Sequence, residues 1–497
     1  MISNIKRHMT WLYGIVRIFI ISNKLYNLSQ NKGIAVFYVT PWYGTFVPLY
    51  TIYLSFLLRY KYSKKLIFII QDIYLCSEEV NPRYQYFYIK ILKLVLKKIG
   101  SVYAVSDNKN NIIKWSNINL EKYARLDFIH DYKTEEINLN LHDFIEHIEN
   151  YKKTYIALES ILKKVGVVDF LIAPGGLSLC TSILREICVE IKTRFVSFDS
   201  GQMGEFLLSV NGVACYLDDA SSCYAAMHKN ISLHNMKNIE KNVYKAITEK
   251  RIGVDKFSVQ YSTSNSISHI FNNSNKSILL ILNVCWDGAA LGQHKIFESQ
   301  QDWVKSTVSW ILEKTDYNIY VRQHPAERFD YVKSNDDPKQ YLNEYDLKHR
   351  VKILSADDDC STYFLIENSD LVVTLSSSVA LEALIMGRAA ISISDCYYVR
   401  AGVVESPSSK GDYCTLINKK LNALPVINDS DKNATFLYYI AQHLTWLETD
   451  FLPSDNVIKW LSWDLDFIFN RPHVNDIFES ITSGKTIYEK LIEKELV

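Results

Sequence analysis

The sequence predicts an α/β fold made of two Rossmann-like domains that face each other across a cleft. Short runs of β-branched and aromatic residues alternate with longer helical patterns, which is typical of βαβ units and a mostly parallel sheet. The chain has 497 residues, more than one hydrophobic core usually supports. A polar stretch at 254–276, rich in Ser and Asn, separates two such series, and we predict a linker there.

We predict an N-terminal domain at 1–270, a C-terminal domain at 271–430, and helices at 431–497 that bridge both; the motifs below assign the acceptor side to the first domain and nucleotide-sugar binding to the second. The first series has predicted strands at 34–39, 66–70, 102–105, 168–173 and 195–198. The second has predicted strands at 277–284, 318–322, 351–354, 371–374 and 389–393. Open parallel sheets bind ligands at the carboxyl ends of their strands, so the cleft is the expected site.

The composition argues against several functional classes. The chain is 48% hydrophobic, and its 55 Lys and Arg balance 55 Asp and Glu, so no net charge indicates a nucleic-acid partner. The nine cysteines are scattered and never form a C-x-x-C pair, which predicts reduced thiols in a cytoplasm. The sequence lacks G-x-G-x-x-G, Walker A and H-E-x-x-H motifs, which removes the main support for a dehydrogenase, a P-loop kinase or a zinc protease.

The N-terminal segment 10–22 is apolar, but it contains Arg17 and is too short to span a bilayer. We predict a helix docked on the N-terminal domain, and no signal peptide. The alternative is an interfacial helix, which Lys6, Arg7 and Trp11 favour. The predicted location is therefore the cytoplasm, with a peripheral contact on the cytoplasmic face of the inner membrane as a further expectation.

A hydrophobic strand runs directly into Arg322, His324, Pro325 and Glu327 in the segment NIYVRQHPAE. The proline ends regular structure just after the histidine. A guanidinium and an imidazole at the carboxyl end of a parallel strand can stabilise the negative charge of a departing nucleotide. We therefore predict that Arg322, His324 and Glu327 bind a phosphate-rich donor. The alternative is a histidine satisfied by backbone carbonyls at a turn.

A second segment, 369–393, reads as a strand, a serine turn, a helix and another strand. Ser376, Ser377 and Ser378 fall where the helix begins, so their hydroxyls and the free backbone N–H groups are predicted to bind the same anion. A serine that only caps the helix is the simpler interpretation. Glu382, in the first turns of this helix, is predicted to reach a ribose hydroxyl.

A third segment, NVCWDGAALG at 283–292, follows the first strand of the second domain. Asp287 is a candidate general base for an acceptor hydroxyl, and Gly288 lets the backbone approach the donor closely. The alternative is a turn-forming Asp-Gly pair.

Three strand ends of the first domain are predicted to face the same cleft. Trp42 and Tyr43 could stack on a sugar ring, and Gly175 and Gly176 would line the acceptor site. Asp199 is a second candidate for the base, since a carboxylate at this position faces the nucleotide-binding half. Ordinary strand-to-helix turns are the alternative for all three.

Taken together, these motifs resemble the capsule polysaccharide biosynthesis glycosyltransferases and the related bacterial Kdo transferases and sialyltransferases, which have the two-domain GT-B fold. The resemblance depends on the segments 322–327, 376–384 and 286–288. It implies that His324, Ser376 and Ser377 hold the donor phosphate without a metal ion. It also implies a nucleotide-sugar donor, linked to cytidine monophosphate in those relatives.

The sialyltransferase relatives carry their catalytic carboxylate in an Asp/Glu-Asp/Glu-Gly motif on the acceptor-side domain. Here Trp286 stands in place of the first carboxylate, and the motif lies in the other half of the chain. Asp287 and Asp199 therefore both remain candidates for the base.

The predicted function is sugar transfer from a nucleotide sugar to an oligosaccharide or lipid-linked acceptor in capsule or O-antigen synthesis, with no nucleic-acid partner. No cofactor or metal is expected, because the acidic run 357–359 is better explained as a solvated turn. The alternatives are a teichoic-acid-type polyol-phosphate transferase, a non-hydrolysing nucleotide-sugar epimerase and a non-catalytic assembly subunit.

Overall fold

The computed structural model describes residues 2–30, 32–73, 82–108, 119–137, 141–177, 179–201, 205–229, 231–253, 275–343, 345, 350–423, 430–453 and 457–496. These residues form two β-sheets, each flanked by helices, and a group of C-terminal helices that contacts both halves. Most of the predicted linker, 254–274, lies outside the described residues. The domain limits at 270 and 430 therefore stay predictions.

The first sheet has six strands in the order β3-β2-β1-β4-β5-β6. They are β1 (Ile34–Val39), β2 (Lys65–Ile70), β3 (Gly100–Ala104), β4 (Phe170–Pro174), β5 (Arg194–Ser200) and β6 (Phe206–Ser209). The first five are parallel, and β6 pairs antiparallel with β5. This is the strand order of a doubly wound Rossmann sheet.

The helices of this half connect the strands and cover both faces of the sheet. They are α1 (Ile2–Leu25), α2 (Val47–Tyr62), α3 (Pro82–Leu96), α4 (Leu120–Tyr132), α5 (His142–Val165), α6 (Leu179–Glu190), α7 (Asp218–Met227) and α8 (Leu233–Arg251). The last of them, α8, packs against a C-terminal helix and sends Lys250 to Glu382 of the second half, with 3.1 Å between Nζ and Oε1.

The second sheet has five parallel strands in the order β11-β10-β7-β8-β9. They are β7 (Ser277–Ile281), β8 (Asn318–Arg322), β9 (Val351–Leu354), β10 (Leu371–Thr374) and β11 (Ala389–Ser392). The helices of this half are α9 (Gln300–Lys314), α10 (Pro338–Tyr341), α11 (Thr362–Glu367), α12 (Val379–Ile385), α13 (Tyr397–Arg400) and α14 (Lys410–Asn422).

The C-terminal helices connect the two halves. They are α15 (Ser430–Tyr439), α16 (Val457–Ser462), α17 (Leu465–Phe469), α18 (Val474–Ser483) and α19 (Ile487–Leu496). Helix α15 packs on α12 of the second half, whereas α16, α17 and α19 pack on α1, α2 and α7 of the first. This arrangement confirms the predicted fold of two Rossmann-like domains with bridging C-terminal helices.

The N-terminal apolar segment is the docked helix α1. Trp11 is fully buried and stacks on Tyr88 of α3, with 5.1 Å between the ring centroids. Arg17 donates from Nε to the carbonyl oxygen of Leu461 at 2.6 Å, which explains how a charged residue fits into this apolar segment. None of the described helices is both long enough and apolar enough to cross a membrane.

Candidate active site

The candidate site lies where the carboxyl ends of the strands of both sheets meet. Loops after β7, β8 and β10 form its donor-side wall, and loops after β1, β4 and β5 form its acceptor-side wall. Two adjoining cavities of about 330 and 280 Å³ occupy this cleft, and both are lined by Ser200, Cys215 and Asp287. We call the larger one the acceptor cavity and the smaller one the donor cavity, after the roles predicted from the sequence for the residues that line them.

His324 follows β8 and faces the donor cavity. Pro325 begins a short 3₁₀ turn, and the amide of Ala326 in this turn donates to Nδ1 of His324 at 3.1 Å. Because Nδ1 accepts this hydrogen bond, the neutral ring carries its proton on Nε2. The local Pro turn thus fixes both the tautomer and the orientation of the imidazole.

The serine turn after β10 lines the same donor cavity. Ser376 donates from Oγ to the carbonyl oxygen of Ala289 at 2.7 Å, which ties the turn to the loop after β7. Ser377 accepts from the amide of Val379 at 3.3 Å, so its hydroxyl hydrogen can still point to a ligand. Ser378 donates to Oε1 of Glu382 at 3.3 Å.

His324 and Ser377, two of the residues predicted to hold the donor phosphate, lie on the same cavity walls. Both residues line the donor cavity, and both also line a smaller cavity beside it. Their strands are not neighbours, since β7 lies between β8 and β10, and the loop after β7 closes the space between them. The donor cavity therefore combines an imidazole with serine hydroxyls, as predicted from the sequence.

The two candidate bases face each other from opposite domains. Asp199 follows β5 and Asp287 follows β7, and both line the acceptor cavity. Asp199 accepts from Sγ of Cys215 and from the amide of Ser200, both at 2.8 Å, so each of its oxygens already has a partner. Asp287 lines the donor cavity as well, whereas Asp199 does not.

The cleft makes both carboxylates better bases than a free aspartate. The side chain of Asp287 is open to solvent along the cleft, but the walls of both domains surround it, and this desolvation raises its pKa. The amides of Ala289 and Gly288 oppose the rise, and the negative charge of Asp199 adds to it. Burial also raises the pKa of Asp199, against the hydrogen bonds from Cys215 and Ser200.

Aromatic side chains line the acceptor cavity beside the carboxylates. Trp42 and Gly175 form part of its wall, as predicted. Trp286 and Gly288 line the same cavity, so Gly288 lies on the acceptor side and not on the donor side where it was predicted. Trp286 donates from Nε1 to the carbonyl oxygen of Val332 at 3.0 Å, which holds its ring in place. Flat apolar rings beside acidic groups are suited to a sugar, which has apolar C–H faces and a rim of hydroxyls.

Comparison with known proteins agrees with the geometry of the second half. Residues 222–411 match the family model described as capsule polysaccharide biosynthesis protein. This region belongs to the capsule polysaccharide biosynthesis family. It contains the whole second sheet, with His324 and the serine turn, and the match agrees with the resemblance stated from the sequence. We call it the capsule-family region.

Several solved structures are weakly similar to this chain, over different shares of its length. A Thermosulfurimonas dismutans KpsC beta Kdo 2,4 transferase is 14% identical, over 54% of this chain and 79% of its own, with a TM-score of 0.36. The UDP-GlcNAc 2-epimerase of Neisseria meningitidis is 12% identical, over 83% and 99%, with a TM-score of 0.27. The wall teichoic acid polymerase TagF is 14% identical, over 97% and 99%, with a TM-score of 0.22. At these TM-scores the likeness assigns no activity to this chain, and no curated protein matches it.

Two predicted phosphate ligands of the capsule-family region have other roles. Arg322 is buried, and its guanidinium donates to the carbonyl oxygens of Ser355 and Asp358. It thereby holds the loop after β9, and burial lowers its pKa. Glu327 is buried as well, where it accepts from Gln323 at 2.7 Å and from Ser334 at 3.1 Å. Glu327 lines neither the donor cavity nor the smaller cavity beside it, so its predicted donor contact is corrected. Arg322 is absent from the donor cavity but lines the smaller cavity together with His324 and Ser377, so its donor contact stays a prediction.

The predicted ribose contact of Glu382 is also corrected. This carboxylate is buried and accepts from Lys250 at 3.1 Å, from Tyr363 at 2.9 Å and from Tyr438 at 3.3 Å. These partners belong to α8, α11 and α15, so Glu382 ties three helices to α12. It reaches the small cavity beside the donor cavity, but as part of this internal network.

Two acceptor-side residues are structural. Tyr43 is fully buried and packs on Trp11, with 5.4 Å between the ring centroids, so it cannot stack on a sugar. Gly176 has a φ of +101°, and a Cβ there would lie 3.0 Å from the ring of Phe195. The position therefore requires glycine for backbone and packing reasons. By contrast, Gly175 lines the acceptor cavity, and a Cβ there would meet only Trp42, at 3.9 Å.

Sequence reasoning missed several residues that line the two cavities. His130 of α4 and Pro453 reach the acceptor cavity, and Gln442 and Trp446 reach the donor cavity from the C-terminal segment. No local motif marks them, because long-range packing of α4 and of the C-terminal helices brings them to the cleft. Among the described residues, no group of three or more His, Cys, Asp or Glu side chains is placed to hold a metal ion. Asp358 instead accepts from Oγ of Ser355 at 3.0 Å, as expected of a turn.

Glu327 predicts a pH-dependent stability. Burial raises its pKa from 4.5 to about 7, so the folded state binds a proton more tightly than the unfolded state does. This contribution to stability is complete below pH 4.5 and is lost as the pH rises through 7. We expect the difference in unfolding free energy between Glu327→Gln and the wild type to shift by roughly 3 kcal/mol in favour of the variant when the pH rises from 4.5 to 8. Urea denaturation at each pH measures this difference. Glu405→Gln is the control, because Lys420 lowers the pKa of Glu405 and its effect should stay constant above pH 5.

Proposed function

We propose that this protein is a glycosyltransferase that moves a sugar from a nucleotide-sugar donor to a glycan acceptor during capsule synthesis. The observation that carries the proposal is the position of Asp287, which lines both cavities of the cleft. His324 and Ser377 stand on its donor side, and Trp42 and Asp199 stand on its acceptor side. An anion site and a sugar site thus share one carboxylate between them.

In the proposed reaction, Asp287 takes the proton from an acceptor hydroxyl in the acceptor cavity. The oxygen of this hydroxyl forms a bond to the anomeric carbon of the donor sugar, while the bond to the donor phosphate breaks. The protonated Nε2 of His324 and the Ser377 hydroxyl stabilise the charge that develops on the departing phosphate. The raised pKa of Asp287 favours proton uptake, since a base works best when its pKa approaches the working pH.

The proposal extends to cytoplasmic location, metal independence and the acceptor. The free thiols of the eight cysteines within the described residues agree with a reducing compartment. A lipid-linked acceptor is anchored in the membrane by its lipid, so a peripheral contact with the cytoplasmic face of the inner membrane belongs to the proposal. The proposed donor is a sugar linked to cytidine monophosphate, because the sequence resembles the Kdo transferases and sialyltransferases.

A nucleotide panel tests the proposal. Purified protein is heated with cytidine, uridine and guanosine mono- and diphosphates, with EDTA present. We expect one nucleotide at about a hundred times its Kd to stabilise the protein by roughly 2.7 kcal/mol. A donor sugar on that nucleotide should then be consumed only when an acceptor is present.

Each alternative function gives a different result in the same assay. Donor turnover without an acceptor would indicate an epimerase, and phosphate retained in the polymer would indicate a polyol-phosphate transferase. A protein that no nucleotide stabilises would be an assembly subunit, and the proposal would be wrong.

A further inference from the structure

The surface formed by α1 and α3 differs in character from the rest of the molecule. Helix α1 is apolar on both faces, a pattern expected when both faces are removed from water. Its inner face, with Trp11, Ile15 and Ile18, is buried in the protein. Its outer face exposes seven large apolar side chains: Ile5, Met9, Leu12, Tyr13, Val16, Phe19 and Ile20.

Helix α3 continues this exposed surface. It runs alongside α1 in the same direction, since His8 contacts Tyr84 and Tyr88 near one end and Lys98 lies 4.1 Å from the ring of Phe19 near the other. Its outer face exposes four more side chains: Tyr84, Tyr86, Phe87 and Leu94. Of the 25 large apolar side chains exposed among the described residues, eleven therefore lie on these two helices. Such clustering marks an interaction site.

Basic residues surround the apolar surface, and acidic residues are absent from both helices. Arg83, Lys90, Lys97 and Lys98 are exposed on or just after α3, and Lys6 and Lys24 are exposed on α1. The first 71 residues of the chain contain no Asp or Glu, although the whole chain has equal numbers of acidic and basic residues. The positive charge is thus concentrated beside the exposed apolar side chains.

We infer that the α1–α3 surface binds the interface of a lipid bilayer that contains anionic lipids. Its apolar side chains would enter the headgroup and upper acyl region, while the long lysine side chains reach the lipid phosphates. Exposed tyrosines suit this depth, because each ring is apolar and its hydroxyl is polar. A second copy of the chain fits less well, since a symmetric pairing would place the same cations against each other.

The proposed function includes a membrane contact, and the α1–α3 surface supplies this contact. In that respect the inference rests on the proposed function. The two ideas can still fail separately. Loss of the surface should leave sugar transfer to a lipid-free acceptor intact, because none of its residues lines either cavity of the cleft.

Vesicle flotation with the full-length protein tests the inference. The wild type should float with vesicles of phosphatidylcholine and phosphatidylglycerol, and less with phosphatidylcholine alone or at high salt. Val16→Glu/Phe19→Glu should lower the partition coefficient by roughly tenfold or more, because two apolar anchors become charged. Lys90→Glu/Lys97→Glu should lower binding only to the anionic vesicles. Val167→Glu/Val189→Glu, at two exposed apolar positions elsewhere in the same domain, should float like the wild type.

Folding is checked by the melting temperature of each variant and by its transfer activity on a lipid-free acceptor. The inference is overturned if the wild type does not float, or if Val16→Glu/Phe19→Glu floats as well as the wild type. A stable dimer in sedimentation velocity without lipid, dissociated by the same double variant, would identify a second copy as the occupant instead. A His324→Ala variant that floats normally but turns over about ten- to a thousand-fold more slowly separates this surface from the catalytic proposal.

Discussion

Replacing His324 by alanine should lower turnover by about ten- to a thousand-fold, with little change in stability. This range is typical of the loss of one group that stabilises charge in the transition state. The ring faces the donor cavity, and the amide of Ala326 holds its orientation. The substitution therefore removes an oriented hydrogen-bond donor without exposing a large part of the hydrophobic core. Steady-state kinetics with saturating donor measure the effect on kcat.

Two control variants interpret this result. His142→Ala changes a histidine whose side chain is 90% exposed, at the start of α5, and should keep full activity. His324→Gln keeps a side-chain N–H donor and should recover part of the lost rate. Full activity of a folded His324→Ala protein would remove the imidazole from the mechanism.

Replacing Asp287 by asparagine should lower kcat by roughly a hundred- to ten-thousand-fold, the range for loss of a general base. The amide has nearly the same shape but cannot accept the proton. In the wild type, activity should fall as the pH drops through the raised pKa of Asp287, so the acidic limb should lie above the pH at which a free aspartate titrates.

Asp199→Asn distinguishes the two candidate bases. The negative charge of Asp199 contributes to the raised pKa of Asp287, so its removal should move the acidic limb to lower pH while most of the rate remains. A larger loss in Asp199→Asn than in Asp287→Asn would exchange their roles. Asp357→Asn, at an exposed position of the turn after β9, is the matched control and should leave the profile unchanged.

The regular elements of the fold were predictable because each one is encoded locally. The predicted bounds of β1, β8, β9 and β10 agree with the structure, since each strand is a short apolar run that ends at a polar or turn-forming residue. Strand β6 (Phe206–Ser209) was not predicted. It pairs antiparallel with β5, and Phe206 also forms a bridge with Leu447, so distant contacts create it.

The residues of the candidate site likewise fall into those that local sequence predicts and those that depend on distant contacts. The sequence alone determined that an imidazole and a serine turn follow strands of one sheet, because each strand and the turn after it are contiguous in the chain. It could not determine which neighbouring side chain turns inward. Strand alternation would place Arg322 and His324 on the same side, because they are two positions apart, but β8 ends at Arg322 and His324 already belongs to the turn at Pro325. Arg322 and Glu327 are therefore buried while His324 lines the donor cavity.

Only the tertiary structure decided how the two domains share the site. It placed Asp199 opposite Asp287 and brought Trp446 and His130 to the cleft. These residues lie on different elements, and no spacing in the chain reports their proximity. The contacts that join the two halves set it, and these run through helices far apart in the chain, such as the contact of α8 with α15 and the ion pair of Lys250 with Glu382.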